Sequence, residues 1–431
     1  MRKKKDTQLN VRVSGHGRQQ NITVCVLVGL LVCVALLSNS LLFHNGQTRS
    51  ASTPRLSNAA APGDRYLYYV LKQSTGFVLA RARTGANNAP LGTPRVVASF
   101  SDDFGETTAD NIISLSASPD GRFLAIDGTR SDGELVWVFD TQRIALNLEP
   151  ASVSGTFLHW LPGASGMFLY RPMFPRGPEA PLIGGNWNPG LWEVNALTGA
   201  FTNIDISAPS ASLVDAVPSP DGSQIIYSTS SGLGMGSDIW TMDIHGQHQA
   251  HLLQLTSDAQ DIAGLFSWSP GGQSIAYERL SDGPTPFLPA GVWLMNRQGG
   301  GQRFLASADG GHGFNLSWSP DGSKVAFVAR TNPTEGMADQ SIQSLKSAIE
   351  VVDINSARVW KVASPMQTGM QINASPSWSA DSSQIMFTAF NPFNPELGGT
   401  VHYWSVSTHP LKATPSVTQF PQVVTHVVGL S

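Results

Sequence analysis

The sequence predicts an all-β fold made of one repeated unit, and three observations carry that expectation. A Ser-Pro-Asp-Gly motif, intact or degraded, recurs six times. Each copy is flanked by short runs rich in Val, Ile, Phe and Tyr, residues that suit a pleated, half-buried strand. Turn formers are abundant, with 42 Gly and 28 Pro in 431 residues, while only 13% are charged, about half the usual share for a soluble domain. A long helical bundle is disfavoured.

The copies are Ser118-Pro119-Asp120-Gly121, Leu161-Pro162-Gly163, Ser219-Pro220-Asp221-Gly222, Ser269-Pro270-Gly271-Gly272, Ser319-Pro320-Asp321-Gly322 and Ser379-Ala380-Asp381-Ser382. Their second positions are 43, 58, 50, 50 and 60 residues apart. In such a turn Ser bonds nearby backbone, Pro presets φ near −65°, Asp tolerates the bridge region and Gly supplies positive φ. The motif closes a hairpin between a strand before it and one after, such as Phe123-Leu124-Ala125-Ile126 or Val325-Ala326-Phe327-Val328. A third strand follows over 135–140, 191–195, 238–243, 292–296, 349–353 and 401–406, and a shorter fourth over 252–256, 304–306 and 360–363. Four antiparallel strands, A to D from the innermost outward, repeated every 40 to 60 residues, are the blades of a β-propeller.

Before the first motif, 66–71, 77–83 and 95–100 read as three strands lacking an innermost partner, and 422–429 reads as a spare Val-rich strand. Pairing them closes the ring and removes exposed edges. Seven blades over 66–431 are expected, with six as the alternative.

The segment from Leu255-Thr256 through Phe266-Ser267-Trp268-Ser269-Pro270 to Ile275-Ala276-Tyr277 and Val292-Trp293-Leu294-Met295-Asn296 resembles the TolB-type, WD-like propeller repeat. The resemblance extends over roughly 66–431, and departures at 161–164, Gly271, Ala380 and Ser382 concern turn geometry. It implies a fold more than a function, because such propellers serve as adaptors, as gating domains of peptidases and as lyases.

In this architecture the tight A–B turns share one face, and the B–C connections emerge on the other. The latter are long: 171–190, 228–237, 279–291, 330–348 and 391–400, and long loops of this kind are usually functional or disordered. One or two helical turns are expected over 339–346, with Asp339 as cap. Asp110, Asp215, Asp261, His312, Asn315 and Asn373 enter the innermost strands on this face, and Trp187, Phe287 and Phe393 lie in or beside its long loops. These nine residues form the candidate binding face. The tryptophans Trp160, Trp268, Trp318 and Trp378 stand at equivalent repeat positions and are read as packing between blades.

Residues 22–43 form an uncharged apolar run that as a helix spans about 33 Å, enough for a bilayer core. Six basic residues against Asp6 precede it, which by the positive-inside rule leaves 1–21 in the cytoplasm. The expectation is a single-pass anchor in the plasma membrane, a flexible linker over 44–65 and an extracytoplasmic propeller. A cleaved signal peptide, with small residues at Ser38-Asn39-Ser40, is the alternative. Of 27 basic and 31 acidic residues, 21 and 30 remain beyond the first twenty. That acidic body argues against a nucleic-acid partner.

Both cysteines, Cys25 and Cys33, lie in the apolar run, so residues 44–431 have no thiol for disulfides, cysteine catalysis or cysteine metal sites. No Gly-x-Ser-x-Gly elbow is present; Gly163-Ala164-Ser165-Gly166 reads as a hairpin turn and 232–236 as a Gly-rich hairpin. His245, His248 and His251 read as solvated loop, and Asp127, Asp132 and Glu134 lack EF-hand spacing. No cofactor, metal or catalytic residue is assigned. The expected function is a scaffold that binds a protein or cell-envelope ligand through the long-loop face; the alternative is a lyase or glycan-active enzyme with a polar site at the central tunnel.

Overall fold

A computed structural model describes residues 65–72, 77–84, 90–100, 112–130, 133–141, 151–163, 166–172, 191–204, 212–230, 237–244, 253–254, 256, 261–281, 288–310, 312, 314–379, 381–392, 402–408 and 424–430. The apolar run at 22–43, the histidines at 245, 248 and 251, and the glycine cluster at 232–236 lie outside these residues. Among the described residues no helix is long and apolar enough to cross a membrane.

The strands follow the repeat. The first group is β1 (Arg65–Lys72), β2 (Phe77–Thr84) and β3 (Pro90–Phe100). Next come β4 (Ile112–Ala117), β5 (Phe123–Arg130), β6 (Gly133–Asp140), β7 (Ala151–Trp160), β8 (Met167–Pro172), β9 (Leu191–Asn195) and β10 (Phe201–Ile204), which form one seven-stranded sheet. The third sheet holds β11 (Ser212–Pro218), β12 (Gln224–Ser230), β13 (Ile239–Asp243) and β14 (Leu253–Gln254). The fourth holds β15 (Asp261–Trp268), β16 (Ser274–Ser281), β17 (Ala290–Asn296) and β18 (Arg303–Ala308). The fifth holds β19 (Ser317–Trp318), β20 (Lys324–Arg330), β21 (Ser347–Asp353) and β22 (Val359–Ala363), followed by the short helix α1 (Pro365–Thr368). The last holds β23 (Ile372–Trp378), β24 (Gln384–Phe390) and β25 (His402–Ser407), and β26 (Val424–Leu430) returns to pair antiparallel with β1.

The seven-stranded sheet is two repeat units that share β7. Its first part, Ala151 to Ser154, pairs with β6, and the part from Gly155 to Trp160 pairs with β8. Gly155 sits at the corner with φ +141, and a Cβ there would lie 2.4 Å from the Arg171 carbonyl oxygen and 2.5 Å from the Tyr170 ring. The strand thus leaves one unit as its outermost member and enters the next as its innermost, a bend only glycine permits.

The core lies between sheets rather than in one centre. Because side chains alternate along a strand, Tyr68 and Val70 pack with Leu115, Leu124 and Trp137 of the following sheet. Leu67 and Tyr69 point the other way, onto Met386 of the last sheet. Val325 and Phe327 likewise face the sheet before, and Ala326 and Val328 the sheet after. The first and last sheets therefore meet as any two neighbours do.

The turns behave as the motif demands. Gly121 N–H donates to the Ser118 carbonyl (2.8 Å) with Gly121 at φ +68. Ser118 Oγ accepts the Phe123 N–H (2.9 Å) and donates to Asp120 (2.6 Å). The same pattern recurs at Ser219, Ser319 and Ser379. Where the sixth copy has Ser382 in place of Gly, that residue adopts φ +60, a conformation costing an L-residue about 1–2 kcal/mol.

The tryptophans do more than fill space. Trp268 Nε1–H donates to the Val217 carbonyl (3.2 Å), Trp318 to Ser267 (3.0 Å) and Trp378 to Ser317 (2.9 Å), each time reaching the innermost strand of the preceding unit. Trp160 Nε1 is buried and has no hydrogen-bond partner among the described residues. Trp268→Phe, which removes the buried indole bond to the Val217 carbonyl, should cost about 0.5–1.5 kcal/mol. Trp160→Phe removes a group that bonds none of the described residues and should cost less; chemical denaturation of the two variants checks the order.

Two loop expectations are corrected. Ser228, Arg279, Gly291 and Arg330, assigned to connections, belong to strands β12, β16, β17 and β20. No helix forms over 339–346; the one 3-10 turn of this connection is Glu335–Met337. Gly336 (φ +64) and Met337 (φ +66) are left-handed, which ends helical propagation before Asp339.

Candidate functional site

The two faces differ in how they are finished. On the tight-turn face the C–D turn of the fourth sheet reaches back to the turn of the third: Arg297 bonds Asp221 (2.8 Å), Gln224 and Ser223. Burial disfavours the Asp221 carboxylate, yet hydrogen bonds from Arg297, Ser219 and Ser223 outweigh it and hold its pKa well below the usual range. On the same face the Asp321 N–H donates to Ser382 Oγ (3.2 Å), so the turns of the fifth and last sheets are also bonded to each other.

The opposite face rests on buried polar groups where the fourth and fifth sheets meet. Asp309 follows β18, and its N–H donates to the Val328 carbonyl (2.9 Å). Its carboxylate accepts from Arg330 Nε at 2.7 Å and lies 2.8 Å from His312 Nδ1. Arg330 also donates to the carbonyls of Gly310 (2.6 Å) and Pro333 (3.2 Å). The side chains of Asp309, Arg330 and His312 are 1%, 2% and 4% exposed, and the His312 ring stacks on Phe314 at 6.4 Å. A buried ion pair contributes through such saturation, because either charge alone would be costly.

Glu278 on β16 adds a second carboxyl. It stands opposite Gly264 in β15, which has no side chain to compete for the space, and it is 1% exposed. Burial, then repulsion from Asp309, pushes its pKa well above the usual carboxylate value, so it keeps its proton where an exposed glutamate would not. The contribution to stability is present below the unfolded value of 4.5 and declines as pH rises toward the folded value, by about 1.4 kcal/mol per unit. Glu278→Gln should therefore gain on the wild type as pH rises above that value. Equal pH slopes for the two proteins in denaturant titrations would overturn this.

Above the cluster, Asn332 closes the base of the 331–346 connection: its Oδ1 accepts the Lys346 N–H (2.7 Å) and its Nδ2 donates to the Ser344 carbonyl (2.8 Å). Gln371, after α1, donates to the carbonyls of Gln343 (2.6 Å) and Leu345 (2.9 Å). The two connections are one bonded surface. Met337 is 58% exposed on the first and Met366 93% on the second, and Leu288, before β17, is 58% exposed.

The candidate residues distribute unevenly over this picture. His312 is part of the buried cluster. Asn373 has no exposed surface: its backbone N–H and Nδ2 donate to Ser347 (2.9 and 2.8 Å), and its Oδ1 accepts from Thr368 (2.9 Å). Both residues shape the face from beneath and do not lie on it, a correction to their assignment as residues around an open mouth. Asp215 stands at the bulge of β11, with its Oδ1 3.7 Å from His159 Nε2 and accepting the Ala216 N–H (2.8 Å). Asn315 is half-buried just before β19, and Asp261 begins β15. Asp110, Trp187, Phe287 and Phe393 lie outside the described residues. Asp127 and Glu134, read as sharing a loop, are in β5 and β6.

Sequence reasoning missed Glu278, Asp309 and Arg330. One signal was available: Glu278 follows its turn proline by eight residues, the place taken by Asp127 in the first repeat, and both interrupt apolar strands. Among the described residues no three His, Cys, Asp or Glu side chains converge in metal-ligating geometry.

No protein-family model matches the chain, and no curated protein does. Solved structures do. A 6-phosphogluconolactonase proposed for Bacteroides fragilis is similar at 11% identity and TM-score 0.52, over 87% of this chain and 100% of that one. An oligogalacturonate lyase in complex with manganese is similar at 14% identity and TM-score 0.50, over 80% and 91%. TolB from Acinetobacter baumannii matches at 16% identity and TM-score 0.43, and this chain spans 63% of its length while 69% of this chain is covered. At such identities the first two likenesses concern the fold alone, and they agree with the strand order: the chain folds as a β-propeller.

Proposed function

We propose that the chain is a membrane-tethered, extracytoplasmic β-propeller of seven blades that binds a protein or cell-envelope ligand through its long-loop face and catalyses no reaction. The blade count takes β7 as a member of two blades and β26 as the innermost strand of the first. End-on electron-microscopy averages with six rather than seven arms would overturn it. The membrane reading rests on the apolar run at 22–43 and the basic residues before it.

The observation that carries the binding reading is the bonded surface on the loop face, where the 331–346 connection and the segment after β22 hold Met337 and Met366 exposed. Leu288 adds a third apolar side chain on that face, and the tight-turn face exposes Leu197 in the turn between β9 and β10. Thioether side chains adapt to a partner's shape and are used at adaptable contact surfaces. Photo-crosslinkers placed at Met337 and Met366 in the full chain should give discrete adducts in the native cells, and one at Gln298, in a tight-turn-face loop, should not. The same adducts from all three positions would sink the assignment of the face.

An enzymatic reading, as a lyase or glycan-active protein, draws on the ionisable cluster of Glu278, Asp309, His312 and Arg330. It is weaker because these groups are buried and Asp309, His312 and Arg330 are engaged with one another, whereas a catalytic acid or base must reach a substrate proton. Turnover of a polysaccharide panel that is lost in Asp309→Asn while the fold is kept would favour it.

A further inference from the structure

The register of the first sheet fixes where the chain enters the propeller. Tyr66 pairs with Leu430 and Leu71 with Val424, so the start of β1 and the end of β26 lie side by side. In every later unit the corresponding pair is the end of strand A and the start of strand B, joined by the tight turn, as Trp268 with Ile275 or Trp378 with Ile385. Arg65 therefore lies on the tight-turn face, at the place of the one missing turn. The long connections begin a full strand length away, about 23–26 Å for seven or eight residues.

We infer that the propeller hangs from the membrane by its tight-turn face, so that the Met337 and Met366 surface points away from the bilayer. This rests on the proposed anchor at 22–43. The 21 residues between that run and Arg65 reach at most about 70 Å, and a flexible chain of that length averages roughly 25 Å end to end. Turning the loop face to the bilayer would require the tether to run along the whole side of the disc, using its mean reach before any slack remained. Of the exposed turn aspartates on the tight-turn face, Asp221 is paired with Arg297 (2.8 Å) and Asp321 lies 3.6 Å from Lys324, so the face carries charges of both signs and offers no uniform surface for adsorption to lipid. The tether, not contact with lipid, sets the orientation.

The chain beyond the apolar run has no cysteine, which makes the test clean. In the full chain with Cys25→Ser and Cys33→Ser, single cysteines are introduced on the tight-turn face (Gln298→Cys, Asn355→Cys) and on the loop face (Gln340→Cys, Met366→Cys). All four positions are exposed. The proteins are reconstituted into phosphatidylcholine–phosphatidylglycerol vesicles carrying a headgroup acceptor dye and labelled with a membrane-impermeant donor maleimide. Energy transfer to the bilayer should be at least twofold greater from the two tight-turn positions than from the two loop positions. Equal transfer, or greater transfer from the loop face, in protein that floats with the vesicles overturns the orientation and leaves the anchor standing. Protein that does not float with the vesicles overturns the anchor, and the orientation with it.

Discussion

Removing residues 422–431 lowers the thermal midpoint by roughly 10 °C or more and makes the protein aggregate. The reason is the dual role of β1. Through β26 it gains a hydrogen-bonded neighbour from Tyr66 to Leu71; through Leu67 and Tyr69 it packs on Met386 of the last sheet. Without β26 the segment Tyr66-Leu67-Tyr68-Tyr69-Val70-Leu71 becomes an open edge of aromatic and aliphatic residues with no charge in it, the kind of edge that templates intermolecular pairing. The closure between first and last sheets also loses its innermost strand. Differential scanning calorimetry with light scattering reads both effects. A peptide of residues 422–431 added in trans should restore part of the midpoint, which separates loss of a specific strand from general damage. An unchanged midpoint in the truncated protein would mean that β26 does not hold the ring.

What could be read from the sequence and what could not divides along the distance over which each feature is determined. The Ser-Pro-Asp-Gly turns are decided within six residues: Ser118, Asp120, Gly121 and Phe123 supply every bond of the first. Their spacing was therefore sufficient to place most strands and the return of β26 to β1. The tryptophans showed as equivalent positions, but their acceptors did not, because Trp268 reaches 51 residues back to Val217 and nothing local marks that carbonyl. The connection after β20 was misread for the same reason. Asp339 has the composition of a cap, while the shape is imposed by Asn332 holding Ser344 and Lys346 twelve and fourteen residues away. His312 and Asn373 read as polar groups before or within inner strands, but polarity does not reveal burial. Only the packing of the fifth sheet against its neighbours shows that they are internal supports.

Arg330→Met should destabilise the protein by about 3–5 kcal/mol, the cost of leaving a buried carboxylate without its counter-charge. The guanidinium satisfies Asp309 and the carbonyls of Gly310 and Pro333 at once, and a methionine fills the volume while bonding none of them. Among the described residues, Asp309 would then keep His312 beside it and still face the repulsion of Glu278. If the penalty is electrostatic, adding Asp309→Asn to Arg330→Met should recover a substantial part of it, and a double-mutant cycle should give a coupling energy of a few kcal/mol. If the penalty came from lost packing, the second substitution would only add to the first. A further readout links the cluster to the binding face. Arg330 holds Pro333, and Asn332 holds Lys346, so loosening the base of the 331–346 connection should expose the bond after Lys346 to trypsin at temperatures where the wild type is intact. Resistance of that bond in a measurably destabilised Arg330→Met would mean that the cluster supports the two sheets but not the surface above them, and the crosslinks at Met337 should then persist in the variant.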